Sequence, residues 1–167
     1  LVSSLKERLC KNKTLPSGIG YLNSLLGNLK KKCPSSGNVS DPKIIGEAMD
    51  VTCANAVMMA AEEFTKFKSQ GLSEEEAYEK SSIQRFTAAK LHCCNYIYRK
   101  FLEASQRASN GGLGGMLSKL CLLYGLHSIS ENAGWFLQFG YLSSEHMATI
   151  QSKILELLEQ IRPDAIP

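Results

Sequence analysis

Much of what would announce a chemistry is scarce in this 167-residue chain. It holds no Cys-x-x-Cys, and His92, His127 and His146 are scattered, so the ligand spacing of a zinc site is missing. No Glu-x-x-His occurs, which removes the ligand pairs of a diiron bundle. Strand-like alternation is lacking too. No stretch approaches the roughly 18 uninterrupted apolar residues of a membrane span, and no basic, apolar, small-residue leader opens the chain. A net charge of +3 is too small to imply nucleic acid. The densest positive run, Lys30-Lys31-Lys32, has no interleaved aromatic and adjoins Pro34-Ser35-Ser36-Gly37, so it reads as a solvated basic loop. No nucleic-acid partner and no membrane span are therefore expected.

What is present suits one folded domain. A chain this long buries roughly 68–70% of the surface its unfolded form exposes, enough for a core without staples. Apolar content of 44% and charged content of 21% are ordinary for globular domains and argue against disorder. Of the six cysteines, Cys10, Cys33, Cys53, Cys93, Cys94 and Cys121, four fall inside apolar helical patterns and two are adjacent, which favours reduced core thiols over disulfides. With Leu1 at one end and Ile166-Pro167 at the other, both ends read as cuts in a longer polypeptide.

Two divisions are expected: a leading segment and linker over 1–40, and a helical bundle domain over 41–167. The leading part is helical but interrupted by Pro16, Gly18, Gly20 and Gly27. Residues 33–40 concentrate Pro, Ser, Gly and Asn and read as a loop that lets the leading segment dock independently. Asp41 with Pro42 then caps a helix running to about Gln70 and stopped by Gly71. Its apolar face is Ile45, Met49, Cys53, Ala56, Val57, Ala60, Phe64 and Phe67. Ser73 and Glu76 form a capping box for a further helix that bends near Ser81-Ser82. Phe86, Ala89, Cys93, Ile97 and Phe101 mark a second apolar stripe, which ends in the polar run 104–110. Gly111, Gly112, Gly114 and Gly115 read as a flexible link, since no strand and no Gly-Lys-Ser or Gly-Lys-Thr ending supports a phosphate loop.

The helix that follows carries Met116, Leu117, Leu120, Cys121 and Tyr124 on one stripe and Leu122, Leu123 and Leu126 outside it, apolar nearly all round. Such a helix is either central to a bundle or pressed by a partner. Ser143 caps a last helix whose apolar face is Met147, Ile150, Ile154, Leu157, Leu158 and Ile161, and Pro163 is its expected stop. Four long amphipathic helices without a strand predict an all-α fold, a four-helix up-and-down bundle.

No catalytic, cofactor-binding or metal-binding residue is assigned. His92 beside Cys93 and Cys94 suggests a thiolate and its base, but adjacent helical residues point about 100° apart, so a packed cysteine and a partly exposed histidine are expected. Glu74, Glu75, Glu76 and Glu79 decorate a helix start, where negative charge meets the positive helix end. Asn132-Ala-Gly-Trp-Phe-Leu-Gln138 reads as a packed turn between helices, with proximity to a ligand or partner as the other reading.

The stretch Leu120-Cys-Leu-Leu-Tyr-Gly-Leu-His-Ser-Ile129 with Asn132-Ala-Gly-Trp-Phe-Leu-Gln138 resembles the closing helical domain of peroxisomal acyl-CoA oxidases. Tyr21-Leu-Asn23 near the start, and Leu157-Leu158, Ile161-Arg162 and Asp164-Ala165 near the end, fall in the same family order. The family commonly has an acidic residue where Trp135 stands here. The resemblance implies an FAD-dependent enzyme in which a glutamate removes the α-proton of an acyl-CoA, hydride passes to the flavin, and oxygen reoxidises it. The products are trans-2-enoyl-CoA and hydrogen peroxide. The catalytic glutamate of the family lies upstream of Tyr21, so this chain is expected to support catalysis by docking and to be inactive alone, binding no FAD by itself. The implied partners are the remaining domains of the same enzyme, a second copy as a homodimer, and acyl-CoA as substrate of the whole. The implied address is the peroxisome. The outer faces of the helices over 116–126 and 143–162, with Leu122 and Leu126, are the expected docking surface. A non-enzymatic helical interaction module and an acyl-CoA dehydrogenase relative are the competing readings.

Overall fold

The structure, a computed structural model, describes residues 1–11, 13–29, 31–34, 37–108 and 112–165. Among them the elements are helices, with no strand: α1 (Val2–Lys11), a short 3₁₀ turn (Ser17–Leu22), α2 (Leu25–Leu29), α3 (Pro42–Ser69), α4 (Glu74–Lys80), α5 (Ser82–Arg107), α6 (Gly112–Glu131), α7 (Ala133–Gln138) and α8 (Ser144–Ala165). The all-α expectation holds. The chain divides into two compact units, Leu1–Lys31 with Asp50–Cys93, and Lys32–Met49 with Cys94–Pro167.

Several boundaries follow from local chemistry. Asp41 Oδ1 accepts from the Lys43 backbone N–H at 2.8 Å, satisfying one of the orphan donors at the start of α3. Gly71 takes φ +88 just past the other end, a left-handed conformation that costs glycine little. At α4 the capping box is complete: Glu76 N–H donates to Ser73 Oγ (3.2 Å) and Ser73 N–H donates to Glu76 Oε2 (2.9 Å). The bend before α5 falls at Ser81, where Arg85 donates from Nε and Nη2 to the Tyr78 carbonyl and lies over the Tyr78 ring.

In the first unit the leading segment is held by its own side chains. Leu5, Leu15, Tyr21 and Leu22 are buried. Asn23 accepts from the Leu15 N–H and donates to the Leu15 carbonyl, while Asn28 donates to the Tyr21 carbonyl. In the second unit α6 packs against α8, with Cys121, Leu126, Ile129, Met147, Ile150 and Leu157 buried.

The structure corrects several expectations. α3 is buried on most of its circumference between Ile45 and Ala60 rather than on one face. It is also long and apolar enough to cross a membrane by length and composition, yet 61% of that window is buried inside the protein, which accounts for its apolarity as core. Most of the expected α5 stripe faces outward: Phe86 is 71% and Ile97 50% exposed, with Ala89 and Cys93 also exposed and Phe101 half-buried, while Ala88, Leu91, Asn95, Tyr98 and Ser105, with Ser81 just before the helix, turn inward. Small side chains permit close approach of backbones, and Tyr98 and Asn95 bring partners for their polar atoms, so the more polar row wins the interior. Gly112, Gly114 and Gly115 lie inside α6 instead of linking helices; Gly111 is outside the described residues.

Pro163 sits within α8, which continues to Ala165; the proline forfeits one backbone donor in an exposed last turn, where the loss is small. Among the cysteines, all of them free, Cys53 and Cys121 are buried, Cys33 and Cys94 half-buried, and Cys10 and Cys93 exposed. Finally, Leu126 is fully buried, so it belongs to the core rather than to a docking surface.

Candidate functional site

Polar chemistry gathers at two places, one in each unit. In the second unit α5 is tied to the first turns of α3 by polar side chains. Tyr98 Oη donates to the Pro42 carbonyl (3.2 Å), Arg99 Nη2 donates to the Gly46 carbonyl (3.3 Å), and Arg99 Nε donates to Asn95 Oδ1 (3.2 Å). Gly125 on α6 completes the joint: a Cβ there would stand 2.8 Å from Tyr98 Cε2 and 3.0 Å from Ile45 Cγ2, so only glycine fits. Beside it opens a surface cleft of about 450 Å³ bordered by Asp41, Lys43, Glu47, Arg99 and Gln106. From Glu47 the network continues: Tyr141 Oη donates to Glu47 Oε2 (3.0 Å), and the Cys33 N–H donates to the Tyr141 carbonyl (2.9 Å). Burial, then the nearby Glu47 carboxylate, pushes the Cys33 thiol up; burial and the bond to Glu47 do the same to the Tyr141 phenol.

In the first unit Tyr21 Oη and His92 Nδ1 lie 3.2 Å apart, with their ring centroids 6.0 Å apart. Tyr21 is buried, and burial pushes its phenol far up, so it stays neutral and serves as a hydrogen-bonding group. Burial lowers His92, keeping the imidazole neutral around physiological pH. The ring thus meets Tyr21, while Cys93 beside it is exposed rather than packed. Glu74, Glu75 and Glu79 are exposed along α4, and Glu76 is engaged in the capping box. These carboxylates act on the helix end.

The Asn132–Gln138 stretch is a short helix rather than a turn. Asn132 is buried and donates to the Ser128 carbonyl (2.8 Å), closing the end of α6, while Phe136 points into the core. Trp135 is half-buried and stacks on Phe139, with centroids 6.0 Å apart. Sequence reasoning passed over the contact between Tyr141 and Glu47, which are 94 positions apart with nothing local to join them. It also passed over His146, which closes the first turn of α8 with Ser143; the Ser-x-x-His spacing, one residue away from a capping-box signature, was the available signal.

Among the described residues no group of three or more His, Cys, Asp or Glu is arranged to hold a metal. Nor does the Arg99 cleft fit a flavin dinucleotide. Its two phosphates require cations or free backbone donors. At the Arg99 cleft the guanidinium is already bonded to Asn95 and Gly46, and the carboxylates of Asp41 and Glu47 border the same space. No reaction step is assigned to this chain's own side chains.

A model of the acyl-CoA oxidase family, ACOX, matches residues 41–167. Peroxisomal acyl-coenzyme A oxidase 1 of Bos taurus is 32% identical over 133 residues, which cover 80% of this chain and 20% of that protein. The crystal structure of acyl-CoA oxidase 3 from Yarrowia lipolytica superposes with a TM-score of 0.88 at 28% identity, covering 96% of this chain and 23% of that one. Acyl-CoA oxidase-2 of Caenorhabditis elegans, solved bound with FAD, ascaroside-CoA and ATP, shares the fold with a TM-score of 0.84 at 20% identity, over 98% of this chain and 24% of its own. The chain spans about a fifth of the length of the curated relatives it matches. On the match over residues 41–167, this chain belongs to the acyl-CoA oxidase family.

Proposed function

We propose that this chain is the closing helical part of an FAD-dependent acyl-CoA oxidase, with residues 41–167 as the bundle domain and 1–40 as its leading segment and linker. The whole enzyme converts acyl-CoA and oxygen to trans-2-enoyl-CoA and hydrogen peroxide in peroxisomal fatty-acid β-oxidation. The observation that carries this reading is the family match over 41–167, together with the superposition on an acyl-CoA oxidase crystal structure. FAD in the C. elegans relative and the peroxisomal name of the bovine one support the cofactor and the address.

Within that enzyme the chain works by placement. A rigid helical body packed against the flavin-bearing part fixes an active-site wall and limits water without donating a reacting atom. The expected docking surface shifts outward on α8, where Leu155 and Leu158 are 64% and 48% exposed and Leu157 is core. The remaining domains of the same enzyme and a second copy in a homodimer are the proposed partners.

The test is to express the complete reading frame beside residues 1–167 and measure bound flavin and acyl-CoA-dependent peroxide in both. Flavin and peroxide in the complete protein only is the expected result. Neither in either preparation replaces the reading with a non-enzymatic interaction module, and acyl-CoA oxidation without oxygen consumption replaces it with a dehydrogenase.

A further inference from the structure

The first turns of α5 carry apolar residues on two opposite sides. Ala88 and Leu91 face the interior of the first unit, whereas Ile83 and Phe86 are 72% and 71% exposed, and Ala89 and Cys93 stand in water beside them. At about 100° per residue, Phe86 and Cys93 lie opposite the inward pair, with Ile83 and Ala89 to either side of them. Lys90 is the charge on this outer face, where a helix that simply meets solvent ordinarily carries several. Phe86 is larger than either side chain of the inward pair, so the outer face holds apolar surface that the core does not use.

The start of the chain comes to the edge of this face. Leu1 and Ser3 border a cleft of about 210 Å³ together with Tyr78, Arg85, Ala88 and Ala89. Burial first, and then the positive amino group of Leu1, lowers the His92 imidazole, which stands nearly one turn beyond Ala89. Polypeptide entering at Leu1 therefore arrives beside Ala89, whose neighbours at three and four residues along the helix are Phe86 and Cys93. The curated relatives are about five times the length of this chain, so most of such an enzyme lies outside residues 1–167.

We propose that in the complete enzyme the polypeptide immediately preceding Leu1 runs over the outer face of α5 and covers Ile83, Phe86, Ala89 and Cys93. The inference rests on the reading of this chain as the closing part of an oxidase, and it adds a second contact to the one on α8. The exposed side chains offer on the order of 300–400 Å² of apolar surface. That suits one side of a contact between parts of a single chain, and it is about half of the roughly 800 Å² per partner that a stable dimer needs. A tethered segment holds with less, because its effective concentration is set by the linker rather than by the amount of protein. The occupant is apolar, with a carboxylate or carbonyl to accept from Lys90.

The test uses the complete enzyme. A photoreactive p-benzoylphenylalanine placed at position 86 keeps an aromatic ring at an exposed site, and irradiation followed by peptide mass spectrometry names what lies over it. The expected product joins position 86 to the segment just before Leu1 in the same chain. Mixing light and isotopically heavy copies separates that product from a cross-link between copies. A cross-link to a second copy or to any other segment, or none at all, overturns the proposal. In the unsubstituted enzyme Cys93 should react with maleimide at least about ten-fold more slowly in the native state than after unfolding in urea, and a smaller difference overturns the proposal as well. Bound flavin and acyl-CoA-dependent peroxide, measured on the same preparation, report on the oxidase reading separately. Both present with an open Cys93 would leave that reading standing and remove this contact alone.

Discussion

At the scale of single residues the fold turns on positions whose type the sequence shows but whose reason it hides. Gly125 reads as one more glycine in an apolar helix, yet it is the contact that admits Tyr98 and Ile45. Gly125→Ala should destabilise the protein by about 1–3 kcal/mol, because neither buried neighbour has room to retreat; the denaturant midpoint should drop with an unchanged slope. Thr52 presents the opposite case, a fully buried residue whose hydroxyl has no hydrogen-bond partner. Thr52→Val removes that unmet group at nearly constant shape and should leave stability unchanged or raise it by up to about 1 kcal/mol, measured the same way. For His92 the sign is fixed by burial. A lowered folded-state value means that the unfolded chain takes up the proton first, so its contribution is present above the ordinary histidine value and is lost as pH falls through the folded one. Nuclear magnetic resonance titration should show the His92 imidazole protonating below the ordinary range, and Tyr21→Phe should not restore it fully, because burial is the leading cause.

Elements were legible to the degree that their signals were local. The Asp41 cap, the Ser73–Glu76 box, the break at Ser81 and the Gly71 stop each depend on residues within a few positions, and each appears where the spacing placed it. The box yields a further expectation. Bonds from the Ser73 side chain and backbone hold the Glu76 carboxyl below the ordinary glutamate range, so its help to α4 is present above the ordinary value and fades as pH falls through the lower one. Ser73→Ala should move the Glu76 titration part of the way back towards the ordinary range, since the backbone N–H at position 73 remains as a donor, as followed by resonance shifts. Which face of α5 turns inward was not legible, since counting large apolar side chains favours Phe86 and Ile97 over Ala88, Asn95 and Ser105. Hydrophobic periodicity weighs side-chain size, whereas the observed packing uses small residues and satisfied polar ones. Pro163 misled for a related reason: a helix stops at proline only where the forfeited bond and the ring clash matter, and an exposed last turn relaxes both.

Across the whole molecule, burial separates residues that maintain the body from those available to a neighbour. Leu126→Asp places an unpaired charge in the core of the second unit and should unfold it. Leu158→Asp should change stability by no more than about 0.5 kcal/mol, because the side chain is already half in water. On the proposed docking role, the same Leu158 variant placed in the complete reading frame should lower flavin retention or assembly; unchanged flavin content and size-exclusion profile would remove α8 from the proposed docking surface. The candidate site was the least legible level. Its ties, Tyr98 to Pro42 and Tyr141 to Glu47, join positions 56 and 94 residues apart, and a lone sequence carries no mark of such pairs.

The distribution of thiols offers one more use of the fold. Cys53 is buried in the first unit and Cys121 in the second, while Cys10 and Cys93 stand in water. A maleimide pulse on this chain alone should therefore modify Cys10 and Cys93 at once and the half-buried Cys33 and Cys94 next, leaving Cys53 and Cys121 as two internal clocks, each started only when its own surroundings breathe. Mass spectra taken along a denaturant series would read both clocks in the same molecule. Matching rates would mean that the polypeptide opens as one cooperative body; diverging rates would name the half that yields first.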